Sequence, residues 1–157
     1  MEHSQSRLSI LVVDDCQYTR ETMSHIIAMH FSAATVFMAG NGKIGLDLFK
    51  EHMPDIVITD INMPEMDGIQ MATEIKLLRS NTHFIVVTAN NGNELHGKFS
   101  KIGHADFMIK PIGFERLFAT IGKCITELAL ESLSFTGVNR VLSHSKETSV
   151  SPLRQVA

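Results

Sequence analysis

The chain has 157 residues, enough for one ordinary domain with a buried core, and its 44% apolar and 20% charged residues exclude disorder throughout. A formal charge of −3, without a run of lysines or arginines, excludes a general attraction to nucleic acid or anionic lipid. No apolar run approaches the roughly 20 residues of a membrane span, and Met1 to Arg7 lack the apolar stretch of a signal peptide. Cys16 and Cys124 lie far apart without metal spacing, which suggests free thiols, a reducing compartment and a cytoplasmic protein.

Strand-like and helix-like patterns then alternate. Leu8 to Val13 is a short apolar run ended by Asp14 and Asp15. Tyr18 to His30 carries Met23, Ile26, Ile27 and His30 at helical spacing. Ala34 to Met38 is a second strand, and Gly42 to Glu51 a helix with Ile44, Leu48 and Phe49 on one side. Asp55 to Thr59 is a third strand, ended by Asp60, and Met63 to Gly68 has turn chemistry. Ile69 to Leu78 is helical, His83 to Thr88 a fourth strand, and Asn93 to Ile102 a polar helix stopped by Gly103. Asp106 to Ile109 is a fifth strand, broken by Pro111. A last helix begins near Phe114 and carries Leu117, Phe118, Ile121, Ile125 and Leu128, to about Leu133. From Ser132 to Ala157 the chain is Ser-rich with little periodicity, and reads as a flexible tail.

Short apolar strands each followed by a helix imply an α/β fold, a three-layer sandwich around a parallel sheet. Five strands favour the flavodoxin-like order 2-1-3-4-5. In such a sheet ligands bind beyond the carboxyl ends of the strands, where the order reverses. Asp14 and Asp15 end the first strand, Asp60 the third, Thr88 the fourth, and Lys110 the fifth. Crowded carboxylates repel one another and stay ionised best around a cation. Oxygen ligands without His or Cys indicate a hard ion, and Mg²⁺ suits a site that also expects a phosphate. Asp60 is central and is the candidate nucleophile for phosphoryl transfer; Thr88 and Lys110 would bind the phosphoryl oxygens.

The stretches Val12-Val13-Asp14-Asp15, Asp60-Ile61-Asn62-Met63-Pro64-Glu65-Met66-Asp67-Gly68, Thr88-Ala89 and Lys110-Pro111-Ile112 resemble the receiver domain of bacterial two-component response regulators, the CheY-like fold. The resemblance covers about residues 7 to 128, leaving 129 to 157 as helix extension and tail. It implies that Asp60 takes phosphate from a sensor histidine kinase. It implies that Asp14 and Asp15 organise Mg²⁺, the second directly, and that Asn62 gives its backbone carbonyl to the metal. It also implies that Thr88 and Lys110 bind the phosphoryl group and that the Lys110–Pro111 bond is cis. The switch position, often Tyr in that family, is Phe107 here, which offers a partner no hydroxyl. The expected partner face for a downstream target is roughly 93 to 123. The apolar stripe of the last helix suggests a homodimer.

Each residue also has a plainer reading. Asp14 and Asp15 could be a solvated strand end and helix cap, Asp60 a turn residue, Thr88 a strand residue, Lys110 a snorkelling side chain, and Phe107 and Cys16 core. Gly40-Asn41-Gly42-Lys43-Ile44-Gly45 matches a dinucleotide fingerprint, but it follows the second strand, which the flavodoxin-like order puts at an edge. A phosphatase with an Asp nucleophile would need an acid two residues after Asp60, where Asn62 stands. The remaining alternative is an interaction module that is never phosphorylated.

Overall fold

The computed structural model describes residues 7–89 and 92–144, with side chains as far as 137. The elements are β1 (Ser9–Val13), α1 (Gln17–His30), β2 (Thr35–Ala39), α2 (Gly42–His52), β3 (Ile56–Thr59), α3 (Gly68–Leu78), β4 (His83–Thr88), α4 (Asn93–Ile102), β5 (Ala105–Ile109) and α5 (Phe114–His144). All strand pairs are parallel and the order is β2-β1-β3-β4-β5, as the strand–helix alternation implies.

Side chains alternate across the strands. Leu11, Val13, Val57, Phe84 and Val86 meet Leu46 and Phe49 of α2, Met71, Ala72 and Ile75 of α3, and Phe99 of α4 in one buried cluster. Ile10, Val12, Ile56, Ile58, Ile85 and Val87 point the other way and are equally buried. Met23 and Ile27 of α1 are buried too, and His30 stacks on Phe118 of α5 at 4.0 Å between ring centres. Burial of this kind contributes about 1.5–3 kcal/mol per large side chain.

Local signals set the helix ends. Asn41 caps α2 by accepting the Ile44 N–H at 2.9 Å, and Met53 ends it with a left-handed φ of 47°. Asp67 and Gln70 form a reciprocal capping box on α3, at 2.8 and 3.2 Å. At the amino-terminal rim of the sheet, Asp55 accepts the Ser9 N–H at 3.0 Å and the Arg79 guanidinium at 3.2 Å, and Arg79 also reaches the Met53 carbonyl at 2.8 Å.

Three expectations need correction. Ile44 is exposed and Leu46 is buried in its place, because Gly42 and Gly45 are the residues of α2 pressed against its neighbours. Cys16 is exposed at the N-cap of α1 rather than a core residue. The segment read as tail from Ser132 is helical to His144, and the Ser132, Ser134 and Thr136 hydroxyls donate to carbonyls four residues back, at 3.1, 3.1 and 3.0 Å. The rest of the expected tail, 145–157, lies outside the described residues. The chain divides into two compact units, one up to Thr120 with all five strands, the other from Ile121 onward with the remainder of α5.

Candidate functional site

The sheet's hydrogen-bond ladder continues one residue past the strands, and those extra residues carry the site. Asp14 N–H donates to Ala39 carbonyl at 3.1 Å, Asp60 N–H to Val13 carbonyl at 3.0 Å, and Lys110 N–H to Thr88 carbonyl at 2.9 Å. Each side chain therefore leaves a backbone that the core holds rigidly.

Asp14, Asp15 and Asp60 come together, each offering an oxygen within 4.8 Å of the others. Lys110 Nζ lies 2.8 Å from Asp14 Oδ2 and 2.8 Å from Asp60 Oδ2. Asp14 is 1% exposed, Asp60 half-buried and Asp15 exposed, so the cluster grades from interior to solvent. Burial by itself would lower the pKa of Lys110; the hydrogen bonds and charges of Asp14 and Asp60 outweigh it and hold the ammonium above its ordinary value. The remaining Asp14 oxygen accepts the Cys16 N–H at 2.9 Å, and Asp60 Oδ1 accepts the Ile61 N–H at 2.6 Å. Both carboxyl groups are thus oriented by backbone N–H donors.

The other expected residues lie on neighbouring strands and loops. Thr88 is buried at the carboxyl end of β4, opposite Ile109 in register. Asn62 is exposed in the loop after β3. The Lys110–Pro111 bond is cis. Phe107 lies on β5 opposite Val86, half-buried, stacked on His96 of α4 at 3.8 Å and edge-on to Phe99 at 5.8 Å. The structure thus gathers Asp14, Asp15, Asp60 and Lys110 directly, while Phe107 belongs to a separate aromatic stack on α4 and β5.

Some contributors were not singled out from the sequence. Arg20 Nη1 donates to the Asp14 carbonyl at 2.6 Å, across the turn into α1. Thr59 Oγ1 donates to the Asp60 carbonyl at 2.7 Å. Gly68, already part of the stretch that carries the family resemblance, is buried where any Cβ would overlap the Asp60 carbonyl oxygen. Hydrogen bonds with the Thr19 side chain and amide hold the Cys16 thiol below its ordinary value. No signal in the sequence pointed to Arg20, Thr59 or His96.

The chain matches known proteins over the same region. The family described as response regulator receiver domain matches residues 10–122. The chemotaxis protein CheY of Bacillus subtilis is 34% identical over 116 residues, covering 74% of this chain and 96% of that protein. The crystal structure of the N-terminal domain of a Wolinella succinogenes protein is 35% identical with a TM-score of 0.72, covering 79% of this chain and 98% of that one. The CheX–CheY complex of Borrelia burgdorferi with BeF₃ and Mg²⁺ contains a chain 26% identical with a TM-score of 0.65, covering 77% of this chain and 88% of that one.

Proposed function

Because the chain belongs to the response regulator receiver domain family of two-component systems, we propose that Asp60 accepts a phosphoryl group from the phosphohistidine of a sensor kinase. The observation that carries this reading is the pairing of one lysine with two acids from different strands, 2.8 Å from each, beside a third acid. An Asp60 carboxylate oxygen forms the new O–P bond as the N–P bond of the kinase histidine breaks, and the imidazole nitrogen keeps the electron pair.

The donor set fits a hard divalent ion: carboxylate oxygens only, within 4.8 Å of one another. Asp15, Asp60 and the Asn62 carbonyl would hold Mg²⁺, with Asp14 assisting mainly through water. When bound, the ion supplies positive charge against the acids and the incoming phosphoryl oxygens. The presence of BeF₃ and Mg²⁺ with the Borrelia relative supports this assignment.

The chain's own groups do the rest. Lys110 places a fixed ammonium at the reacting carboxylate, so charge arriving there meets a cation already oriented. Thr88 offers its hydroxyl to the phosphoryl group. Asn62 stands where an Asp-nucleophile phosphatase would need a proton-transferring acid, so Asp60 acts as a phosphoacceptor with slow self-dephosphorylation. Phosphorylation then biases Phe107, and the face formed by α4, β5 and the start of α5 presents the change to a downstream protein.

Incubation with acetyl phosphate or a phosphorylated kinase in Mg²⁺ tests the reading. Label on the unmutated chain that Asp60→Asn abolishes is the expected result. Undiminished labelling of Asp60→Asn overturns it.

A further inference from the structure

The glycine motif after β2 has no dinucleotide crevice beside it, since β2 is an edge strand. Two of its glycines, Gly42 and Gly45, are nonetheless crowded. A Cβ at Gly42 would overlap the Met66 carbonyl oxygen, and its next neighbours would be the Met66 carbonyl carbon and Cγ, both at 3.0 Å. A Cβ at Gly45 would stand 2.7 Å from Met71 Sδ and 3.1 Å from Val13 Cγ2. The motif brings the first turn of α2 into contact with the loop that joins β3 to α3.

The contact at Gly42 is also a hydrogen bond. Gly42 opens α2, so its N–H has no partner within the helix. It donates to the Met66 carbonyl at 3.1 Å. That carbonyl lies in the stretch between Asp60 and α3, whose other ties are few. Gly68 N–H donates to Ile61 carbonyl at 2.8 Å, Met66 N–H to Pro64 carbonyl at 2.8 Å, and Asp67 N–H to Gln70 Oε1 at 3.2 Å. Within it Glu65 takes a left-handed φ of 66°, which a side chain adopts only at a cost. A strained loop keeps its shape when its surroundings hold it: Ile61, Met63 and Met66 pack on the core, and the α2 amide adds a hydrogen bond from outside the loop's own helix.

We infer that Gly42 is a positioning residue for the cation site: its amide, with no Cβ in the way, clamps Met66 and so fixes the loop that presents the Asn62 carbonyl. The inference rests on the phosphoacceptor reading above. It gives the glycine motif a role in cation geometry instead of nucleotide binding. Mg²⁺ tolerates little departure from octahedral geometry, so a loop displaced at Met66 weakens the site without touching a ligand.

The test compares Mg²⁺ affinity, by calorimetry, in the unmutated protein, Gly42→Ala and Gly45→Ala, with urea unfolding of each. Gly45→Ala meets the core and not the loop, so it controls for lost stability. Gly42→Ala should bind Mg²⁺ about 10–100-fold more weakly, while Gly45→Ala loses stability and binds as the unmutated protein does. A backbone ester at position 42, which replaces the N–H with oxygen and adds no atom, should weaken binding in the same direction and serves if Gly42→Ala does not fold. Unchanged affinity in the folded position-42 variants overturns the inference, as does a loss in Gly45→Ala equal to theirs. An unmutated protein that takes no Mg²⁺ overturns the function reading together with the inference; one that binds it, with no effect at position 42, overturns the inference alone.

Discussion

Neutralising Asp15 should strengthen the protein without a cation and weaken it with one. The three acids of the cluster offer oxygens within 4.8 Å of one another, and the lysine among them pairs with Asp14 and Asp60. Two unit charges at such a separation in water interact by about 0.9 kcal/mol. Water is the right medium here because Asp15 is exposed. Asp15 feels two repulsions of that order and one attraction to Lys110, so Asp15→Asn relieves about 1 kcal/mol. For a chain of this size that raises the unfolding midpoint by about 2–4 °C. Mg²⁺ reverses the order: a ligand at about a hundredfold excess over its Kd stabilises by about 2.7 kcal/mol, and Asp15→Asn forfeits most of this. Urea and thermal unfolding of both proteins, with and without Mg²⁺, measure all four states. High salt should shrink the difference seen without Mg²⁺. If Asp15→Asn is the less stable protein without Mg²⁺, or gains as much from the ion, the electrostatic account is wrong.

Two further outcomes follow from the switch and from α5. Thr88→Ala should still take phosphate on Asp60, but the Phe107 ring signals should no longer respond to beryllofluoride in Mg²⁺; an unaltered ring response refutes the Thr88–Phe107 coupling. Leu130, Leu133 and Phe135 stand 58%, 68% and 70% exposed on α5, and apolar side chains that form one patch mark a contact surface. If they support self-association, the double change Leu133→Glu and Phe135→Glu should turn a sedimenting dimer into a monomer. A full chain that is monomeric with and without phosphorylation rules that surface out.

The sequence made the strands and the acids legible because both signals are local. β4 is six buried residues between a turn and a loop, and its expected bounds, His83 and Thr88, are those found. Asp14, Asp60 and Lys110 each follow an apolar run, so a parallel sheet brings them together whatever the details of packing. Helix faces were harder. Periodicity put Ile44 inward, but close approach at Gly42 and Gly45 rotates Leu46 to the core, and glycine has no hydropathy signal to announce this. The serines beyond Leu128 suggested a tail because composition does not show that their hydroxyls can satisfy themselves on the helix. Arg20 was invisible because its partner is a backbone carbonyl, Asp14, which no residue type encodes.

The Asp55 latch and the Asp60 cluster sit at opposite ends of the same strand, β3. Five residue steps at about 3.3 Å each separate their backbones by about 16 Å. At that distance and an effective dielectric of about 20, two unit charges interact by about 1 kcal/mol, against about 6 kcal/mol for a pair in contact at 2.8 Å, so the contacts within each end outweigh any influence from the other. Evolution, or an engineer, can tune sturdiness around Asp55, Arg79 and Ser9 while the signalling chemistry drifts on its own schedule.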